Sequence, residues 1–174
     1  KRSFTFTNLP EDDHLEFVIK TYPSHEGVTN ELLTLKAGDE LIVHEVWGSI
    51  AYKGEGVFIA GGAGVTPFIS ILRHLHGKKQ LGNNRLLFAN KTVADIIHND
   101  EFKDMLGQNF INILSQEEAE GFDHGWISEE FLKKHGVNDY KYVYLCGPKP
   151  MMENIEGQLL KLCVQEDAII REIF

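Results

Sequence analysis

A glycine-rich turn, which joins a short apolar run to a helical pattern, restricts the fold of this chain more than any other feature. The run Val57–Ala60 suits a strand that is buried on both faces. The turn Gly61–Gly64 lets the backbone approach a ligand closely, because glycine has no Cβ. Thr66 is a preferred N-cap residue and Pro67 a preferred first helical residue, so we expect a helix to follow. Free N–H groups and the positive end of the helix dipole would then face an anion such as a phosphate.

The turn departs from the dinucleotide-binding fingerprint in two ways. Pro67 stands where the fingerprint has its third glycine. The acidic residue expected about 20 positions further on is absent, since the next apolar run ends in Asn90 and Lys91. From this segment alone, a dinucleotide-binding turn and a strand-to-helix turn without a ligand both stay open.

Downstream of Val57, apolar runs alternate with helical patterns, which is typical of a parallel sheet with helices on both faces. The expected strands are Val57–Ala60, Arg85–Ala89, Phe110–Leu114, Tyr142–Leu145 and Ile169–Ile173. The expected helices are Pro67–His76, Asp100–Leu106, Ser128–His135 and Met151–Cys163. We therefore predict an α/β domain that is built on a parallel five-stranded sheet.

Upstream of Val57 the pattern changes to short alternating runs separated by turn signals, which favours antiparallel β structure. The expected elements are the strands Phe4–Thr7, Leu15–Lys20 and Glu40–Val46 and a short helix over Val28–Leu35. Three strands cannot close a barrel, so we expect part of a β-barrel whose earlier strands are missing from the chain. A boundary near residues 51–55 would give residues 1–52 to the barrel and residues 53–174 to the α/β domain.

Composition and charge exclude several classes of protein. The chain has 174 residues, 43% of them hydrophobic, with no apolar run that approaches the length of a membrane span. A net charge of −9 without a basic block disfavours nucleic acid and anionic membrane surfaces as partners. Cys146 and Cys163 alone cannot form a disulfide framework, a structural zinc site or an iron–sulfur centre. We expect a cytoplasmic protein without a metal.

Three further segments contain residues that could bind a ligand or a cofactor. In Arg2–Thr5 an arginine can pair with phosphate, and strand alternation sends Phe4 toward a flavin ring; a strand with an exposed arginine and a buried phenylalanine is the alternative. The segment Cys146–Met151 follows an expected strand, and ligands of open α/β sheets bind beyond the carboxyl ends of strands. Cys146 would then border a ligand or be an inert buried thiol. At the C-terminus, Phe174 would lie against a cofactor or on a frayed end.

Taken in order, four motifs resemble the ferredoxin–NADP reductase superfamily, which pairs a flavin-binding β-barrel with a nicotinamide-nucleotide domain. They are Arg-x-aromatic-Ser/Thr at residues 2–5, G-G-x-G-x-T-P at residues 61–67, C-G-P-x-x-M at residues 146–151 and Glu-x-aromatic at residues 172–174. The resemblance spans nearly the whole chain.

The resemblance implies two cofactor sites. A flavin, FAD or FMN, would be held by Arg2, Ser3, Phe4, Thr5, Gly27, Val28, Thr29 and Phe174. NADH or NADPH would be held by Gly61, Gly62, Ala63, Gly64, Thr66, Pro67, Asn90, Lys91, Cys146, Gly147, Pro148 and Met151. The catalytic residues that it implies are Thr5, near flavin N5, and Cys146 and Glu172, which would flank the point of hydride transfer.

The implied activity is that of a flavin-dependent NAD(P)H oxidoreductase that passes a hydride to flavin N5 and electrons to a separate acceptor. That acceptor would be ferredoxin, flavodoxin, another subunit or a small molecule, and Lys20 is one of four lysines that could form a basic patch for it. Residues 88–97 resemble the NADH-using cytochrome b5 reductases, which favours NADH. Two alternatives are a non-catalytic electron-transfer or regulatory subunit and an α/β interaction domain that keeps the turns without the ligands.

Overall fold

A computed structural model of the chain describes residues 2–21, 27–44, 46 and 48–172. The strands are β1 Gly56–Gly61, β2 Arg85–Asn90, β3 Phe110–Leu114, β4 Asp123–His124, β5 Tyr142–Cys146 and β6 Ile169–Arg171. The helices are α1 Val28–Glu31, α2 Thr66–Gly77, α3 Asn99–Leu106, α4 Glu129–Lys134 and α5 Lys149–Lys161. None of these helices combines the length and the apolar character that crossing a membrane requires.

All six strands form one parallel sheet in the order β4-β3-β2-β1-β5-β6. The chain runs outward from β1 to β4 and then returns to place β5 on the other side of β1. The order therefore reverses between β1 and β5, and their carboxyl ends form the switch point at which open α/β sheets bind ligands. The expectation of five strands was wrong by one, because the two residues of β4 are too few to show an alternating pattern.

Apolar side chains from alternate strand positions fill two layers, one on each face of the sheet. On one face, Phe58 of β1 packs in a cluster with Phe68 of α2 and Phe102 of α3. On the other face, Ile59 belongs to a cluster with Leu132 of α4 and Ile155 of α5. The prediction of a parallel sheet with helices on both faces is confirmed.

The start of α2 differs from the sequence prediction. A 3₁₀ turn over Gly62–Val65 runs directly into the helix, so Val65 occupies the N-cap position and Thr66 is already helical. No side chain among the described residues caps either start. The expected N-cap role of Thr66 is wrong, because the continuous turn removes the extended residue that such a cap needs.

The N-terminal region shows less regular structure than its pattern predicts. Among the described residues before β1, the only β pairing is a single antiparallel bridge between Phe6 and Phe17, whose rings lie 5.0 Å apart. The expected strands at 4–7, 15–20 and 40–46 are not formed there, although Glu45 lies outside the described residues. A strand is stable only beside a partner strand, and Ile42 is 86% exposed. The short helix is confirmed as α1, which a 3₁₀ turn extends to Thr34.

The segment that leads into β1 is anchored by a buried tyrosine. The hydroxyl of Tyr144 donates to the carbonyl of Gly54 (2.7 Å) and accepts from the backbone N–H groups of Lys53 (2.9 Å) and Gly54 (3.1 Å). Its ring stacks on Phe58 with centroids 4.3 Å apart. Burial raises the pKa of this hydroxyl, so it stays a donor at neutral pH.

Candidate nucleotide-binding site

The two loops at the carboxyl ends of β1 and β5 lie in direct contact. The strands pair in register with Ala60 opposite Cys146, which brings the glycine turn beside Gly147. A Cβ on Gly64 would overlap the carbonyl oxygen of Cys146 and lie 2.6 Å from the Cα of Gly147. Since real Cβ atoms do not come that close to backbone, only glycine at position 64 permits this contact between the loops.

Gly61 has the same role toward the start of α5. A Cβ there would overlap the sulfur of Met151 and lie 3.1 Å from Cδ of Pro148. Two of the three glycines in the turn therefore serve the packing of one loop on the other. Their small size was instead predicted from the sequence to allow the close approach of a ligand.

Gly62 differs from both of its neighbours. Its φ is +52°, a conformation that favours glycine, and a Cβ there would meet no atom within 4 Å. The 3₁₀ turn that begins at Gly62 has no side-chain cap and leads directly into α2, a helix of 12 residues whose first N–H, that of Thr66, donates to the carbonyl of Ala63. An open backbone turn before an uncapped helix start fits the phosphate groups of a nucleotide, because N–H donors and the helix dipole both favour an anion.

Asn90 contributes a second feature that fits a ligand. It ends β2 directly after Ala89, which pairs with Gly61, and it is only 7% exposed. Neither the oxygen nor the nitrogen of its side-chain amide has a hydrogen-bond partner among the described residues. Burial without a partner costs free energy, so this amide suits polar groups that a bound molecule would supply. Lys91, the next residue, is exposed.

The loop after Asn90 is rigidly held. The side chain of Asp95 accepts hydrogen bonds from the backbone N–H (3.2 Å) and the hydroxyl (2.9 Å) of Thr92, which closes a capping box around the turn. The backbone N–H of Val93 donates to Glu117 at 2.8 Å. Hydrogen bonds therefore hold the turn that directly follows Lys91.

Cys146 and Glu172 are hydrogen-bonded partners at the end of the sheet. The thiol of Cys146 is buried, and its Sγ lies 3.1 Å from Oε2 of Glu172. Burial, followed by the hydrogen bond and the negative charge of Glu172, raises the pKa of this thiol far above its usual range. The thiol is therefore neutral at physiological pH and donates to the carboxylate.

The predicted flavin-binding residues lie in the irregular N-terminal region. Arg2 and Ser3 are exposed, and Phe4 and Thr5 are half-buried. Gly27 is the N-cap residue of α1, and its carbonyl accepts from the N–H groups of Asn30 (2.9 Å) and Glu31 (3.1 Å). Val28 and Thr29 form the uncapped first turn of α1, whereas Phe174 lies outside the described residues.

A polar cluster around Arg73 of α2 was not predicted from the sequence. The Arg73 guanidinium binds Glu101 of α3, Glu16 and the carbonyl of Thr7. Local pattern gave no signal for it, because the partners are 28 to 66 residues away from Arg73 in the chain. Lys20, which was expected on a basic patch, instead pairs with Asp95 at 2.7 Å.

A parallel sheet with an uncapped glycine turn at its switch point defines a nucleotide-binding α/β domain. The chain belongs to the oxidoreductase NAD-binding domain family, whose model matches residues 58–157. The resemblance found in the sequence is thereby confirmed.

Individual relatives agree with this assignment. The propane 2-monooxygenase reductase component of Mycolicibacterium goodii is 32% identical over 194 residues, which cover 99% of this chain and 54% of the relative. The cytochrome P450 reductase GcoB of Amycolatopsis superposes with a TM-score of 0.76 at 22% identity, covering 98% of this chain and 55% of that one. A ferredoxin NADP+ reductase from Neisseria gonorrhoeae with bound FAD and NADP gives 0.73 at 16%, covering 98% and 78%. The chain spans about half the length of the curated relatives it matches.

Proposed function

We propose that this chain is the nucleotide-binding part of a flavin-dependent NAD(P)H oxidoreductase. One observation carries the proposal: the glycine turn and the Cys146–Gly147 loop meet at the switch point of the sheet, beside the buried and unpartnered amide of Asn90. Family membership supports the same assignment, since the matched domain is an oxidoreductase domain that binds NAD.

The nucleotide is proposed to dock across both loops. The backbone of Gly62–Val65 and the N-terminus of α2 would receive its phosphates. Asn90 and Lys91 would contact its ribose, and Cys146–Pro148 would border the nicotinamide. Lys91 could meet the 2′-phosphate of NADPH as a point charge, but the likeness of residues 88–97 to the NADH-using cytochrome b5 reductases favours NADH in our proposal.

Residues 1–52 are proposed to be part of a flavin-binding barrel, with residues 53–174 as the NAD(P)-binding domain. Leu41, Ile42, Val43 and Val46 are each more than half exposed, which is unusual for four apolar residues so close together. Such a run needs a covering partner, and further barrel strands would provide it. Arg2–Thr5 and Gly27–Thr29 would then hold FAD or FMN, with Phe174 bordering the nicotinamide.

The residues at the reaction centre would orient the reactants and control local charge. A bound flavin would supply the redox chemistry, taking a hydride from NAD(P)H at its N5 atom and releasing the electrons to a separate acceptor. Cys146 holds a proton at Sγ and donates it in a hydrogen bond to Oε2 of Glu172, which would fix the position of that side chain. Thr5 would offer its hydroxyl near the reactive edge of the flavin.

The acceptor is proposed to be another protein or subunit. Relatives that match are reductase components, which supports a partner of that kind, and ferredoxin or flavodoxin are the small redox proteins that we propose first. Cys146 and Cys163 are both free, which fits a reducing compartment such as the cytoplasm.

The test is anaerobic reduction of the full-length natural protein that carries this chain. We expect a yellow protein whose flavin absorbance is bleached by NADH faster than by NADPH, with one hydride consumed per flavin. A yellow protein that neither nucleotide reduces would favour a non-catalytic electron-transfer subunit. A colourless protein that does not take up FAD or FMN would refute the proposal.

A further inference from the structure

Arg73 connects the helix behind the glycine turn to the segment that carries the predicted flavin residues. Its Nη1 lies 2.6 Å from Oε1 of Glu16 and donates to the carbonyl of Thr7 at 2.9 Å. On the other side, Nε and Nη2 form a bidentate pair with Glu101 of α3 at 2.5 and 3.0 Å. One guanidinium therefore bridges residues from both predicted domains.

The contact between Arg73 and Thr7 can fix the position of Thr5 relative to the glycine turn. Arg73 lies two helical turns after Thr66, at which α2 leaves the glycine turn. Thr7, the acceptor on the other side, is two residues after Thr5. Thr5 is thus connected to the glycine turn through the backbone to Thr7, the hydrogen bond from Arg73 to the Thr7 carbonyl, and the first two turns of α2.

The N-terminal end of this path is itself ordered. Thr7 is fully buried, its hydroxyl donates to Oε1 of Glu16 at 2.6 Å, and its backbone N–H donates to the carbonyl of Glu16 at 2.9 Å. The backbone N–H of Glu16 donates to the side chain of Asn8 at 2.9 Å. Arg73 therefore holds a small closed unit rather than a loose strand end.

A second ion pair joins the same two regions. Lys20, which follows the bridge at Phe17, binds Oδ1 of Asp95 at 2.7 Å. The other oxygen of Asp95 fixes Thr92, two residues after Asn90. The N-terminal segment is thus attached both to the helix of the glycine turn and to the loop after Asn90.

We propose that Arg73 is a positioning residue for hydride transfer: it sets Thr5 at a fixed distance and angle from the glycine turn, with Lys20 as a second point of attachment. The inference rests on the proposed function. Arginine suits this role because its planar fork binds two carboxylates and a carbonyl at once in a fixed geometry. The Arg73 side chain is only 20% exposed, so water competes weakly for these bonds.

The test compares Arg73→Met and Arg73→Lys with the wild-type full-length protein. For Arg73→Met we expect the limiting rate of flavin reduction to fall about tenfold to a hundredfold, because small misplacements of reactants cost that much. The Kd for NADH should stay within twofold, since Arg73 is not in the nucleotide site. The reduction rate of Arg73→Lys should lie between those of the wild type and Arg73→Met, because lysine keeps the positive charge but cannot form the bidentate pair.

A second readout does not depend on activity. Hydrogen–deuterium exchange at the backbone amides of Thr7 and Glu16 should become about tenfold faster in Arg73→Met, while the amides of β1 keep their protection. Glu16→Gln should act in the same direction but more weakly, because it removes the ion pair of Arg73 with Glu16 and keeps the Arg73–Glu101 pair and the hydrogen bond to the Thr7 carbonyl. Lys133→Met is the matched control: it removes one cation from an exposed ion pair with Glu129 (2.7 Å) and should leave every quantity unchanged.

Each outcome decides something. If Arg73→Met reduces its flavin at the wild-type rate, or if exchange at Thr7 and Glu16 is unchanged, the inference is overturned. If instead the β1 amides lose protection together with NADH binding, Arg73 supports the fold as a whole and the positioning role is refuted. If the wild-type protein is not reduced by either nucleotide, the proposed function fails, and the exchange result still decides whether Arg73 holds the two regions together.

Discussion

Cys146 and Glu172 form a hydrogen bond of 3.1 Å in which a buried neutral thiol donates to a carboxylate at the end of the sheet. Cys146 is the last residue of β5, and Glu172 directly follows β6. The ends of two neighbouring strands therefore bring the two side chains together. Its proposed role is to hold a negative charge near the reacting atoms.

Replacing Glu172 with Gln should slow flavin reduction without releasing the flavin. We expect Glu172→Gln to keep its flavin and to reduce it about tenfold more slowly, a loss of ~1.4 kcal/mol in transition-state stabilisation. Anaerobic stopped-flow reduction by NADH measures the rate, and absorbance measures the flavin content. Glu166→Gln is the matched control, since Glu166 is mostly exposed. Unchanged kinetics in Glu172→Gln would refute the assignment.

The two cysteines should differ strongly in their reactivity. Cys146 is buried and its pKa is raised, whereas Cys163 is exposed, and only the thiolate form attacks alkylating reagents. We expect iodoacetamide at pH 8 to label Cys163 at least about a hundredfold faster than Cys146, as followed by peptide mass spectrometry. In urea the two rates should converge. Equal rates in the folded protein would show that the Cys146 thiol is accessible.

A methyl group at Gly64 should force the two loops apart. Because its Cβ would lie 2.6 Å from the Cα of Gly147, we expect Gly64→Ala to lower the free energy of unfolding by about 1–3 kcal/mol, the usual cost of overpacking. NADH affinity should fall as well. Gly157→Ala is the control: that glycine lies inside α5 with open space around it, so alanine there should stabilise the protein by about 0.5–1 kcal/mol. Urea unfolding measures both, and equal stability of the two variants would contradict the predicted clash.

Substitution of two buried asparagines by leucine should change stability equally but NADH binding differently. Asn90 and Asn112 are each 7% exposed, and each has an unpartnered side-chain oxygen. Leucine at either position removes the unpaired amide, so we expect both variants to gain roughly 1 kcal/mol in the free energy of unfolding. Only Asn90→Leu should weaken NADH binding, by about tenfold in calorimetric titration. Equal affinity in Asn90→Leu and Asn112→Leu would remove Asn90 from the nucleotide site.

Stability in acid should depend on Glu101. The hydrogen bond from Arg73 is the largest cause that lowers the pKa of Glu101, and hydrogen bonds from Thr7 and then Arg73 lower that of Glu16. A carboxyl group with a lowered folded-state pKa stabilises the fold fully above its unfolded pKa, about 4.3, and loses this effect as the pH falls through the lower folded value. We therefore expect the free energy of unfolding to drop below about pH 4.5.

Glu101→Gln should show a shallower drop over that range and a lower stability at pH 7. Urea unfolding at several pH values between 3 and 7 measures both. Glu129→Gln, at an exposed ion pair with Lys133, is the control and should follow the wild type. A wild-type slope in Glu101→Gln would show that the pair with Arg73 does not contribute to acid sensitivity.

The sequence predicted the parts of the fold that depend on local pattern. The five longer strands and the helices between them follow from apolar periodicity, and the contact between the glycine turn and Cys146–Gly147 follows from the rule that parallel strands end at one edge. The strand Asp123–His124 was not predicted, because two residues are too few to show an alternation of apolar and polar side chains. The N-terminal strands were predicted from alternation, yet a strand also needs a neighbour, and alternation does not show one.

Polar partners far apart in the chain could not be predicted. The contacts of Arg73 with Glu16 and of Lys20 with Asp95 join residues 57 and 75 positions apart, and nothing in either local sequence distinguishes them from solvent-exposed charges. The unpartnered amide of Asn90 is likewise visible only once burial is known. The roles of Arg2–Thr5, Gly27–Thr29 and Phe174 stay predictions from the resemblance.

The reversal of strand order between β1 and β5 also has a consequence for biosynthesis. During translation β1 is synthesised about 80 residues before β5, the strand that pairs with its second edge. The crevice between the two strand ends therefore cannot form until β5 has left the ribosome. Until then an apolar strand offers an unpaired edge on which a neighbouring nascent chain could add. Nascent polypeptides that stop before Tyr142 should therefore bind chaperones and not nucleotide, because the nucleotide site cannot form until β5 has been synthesised.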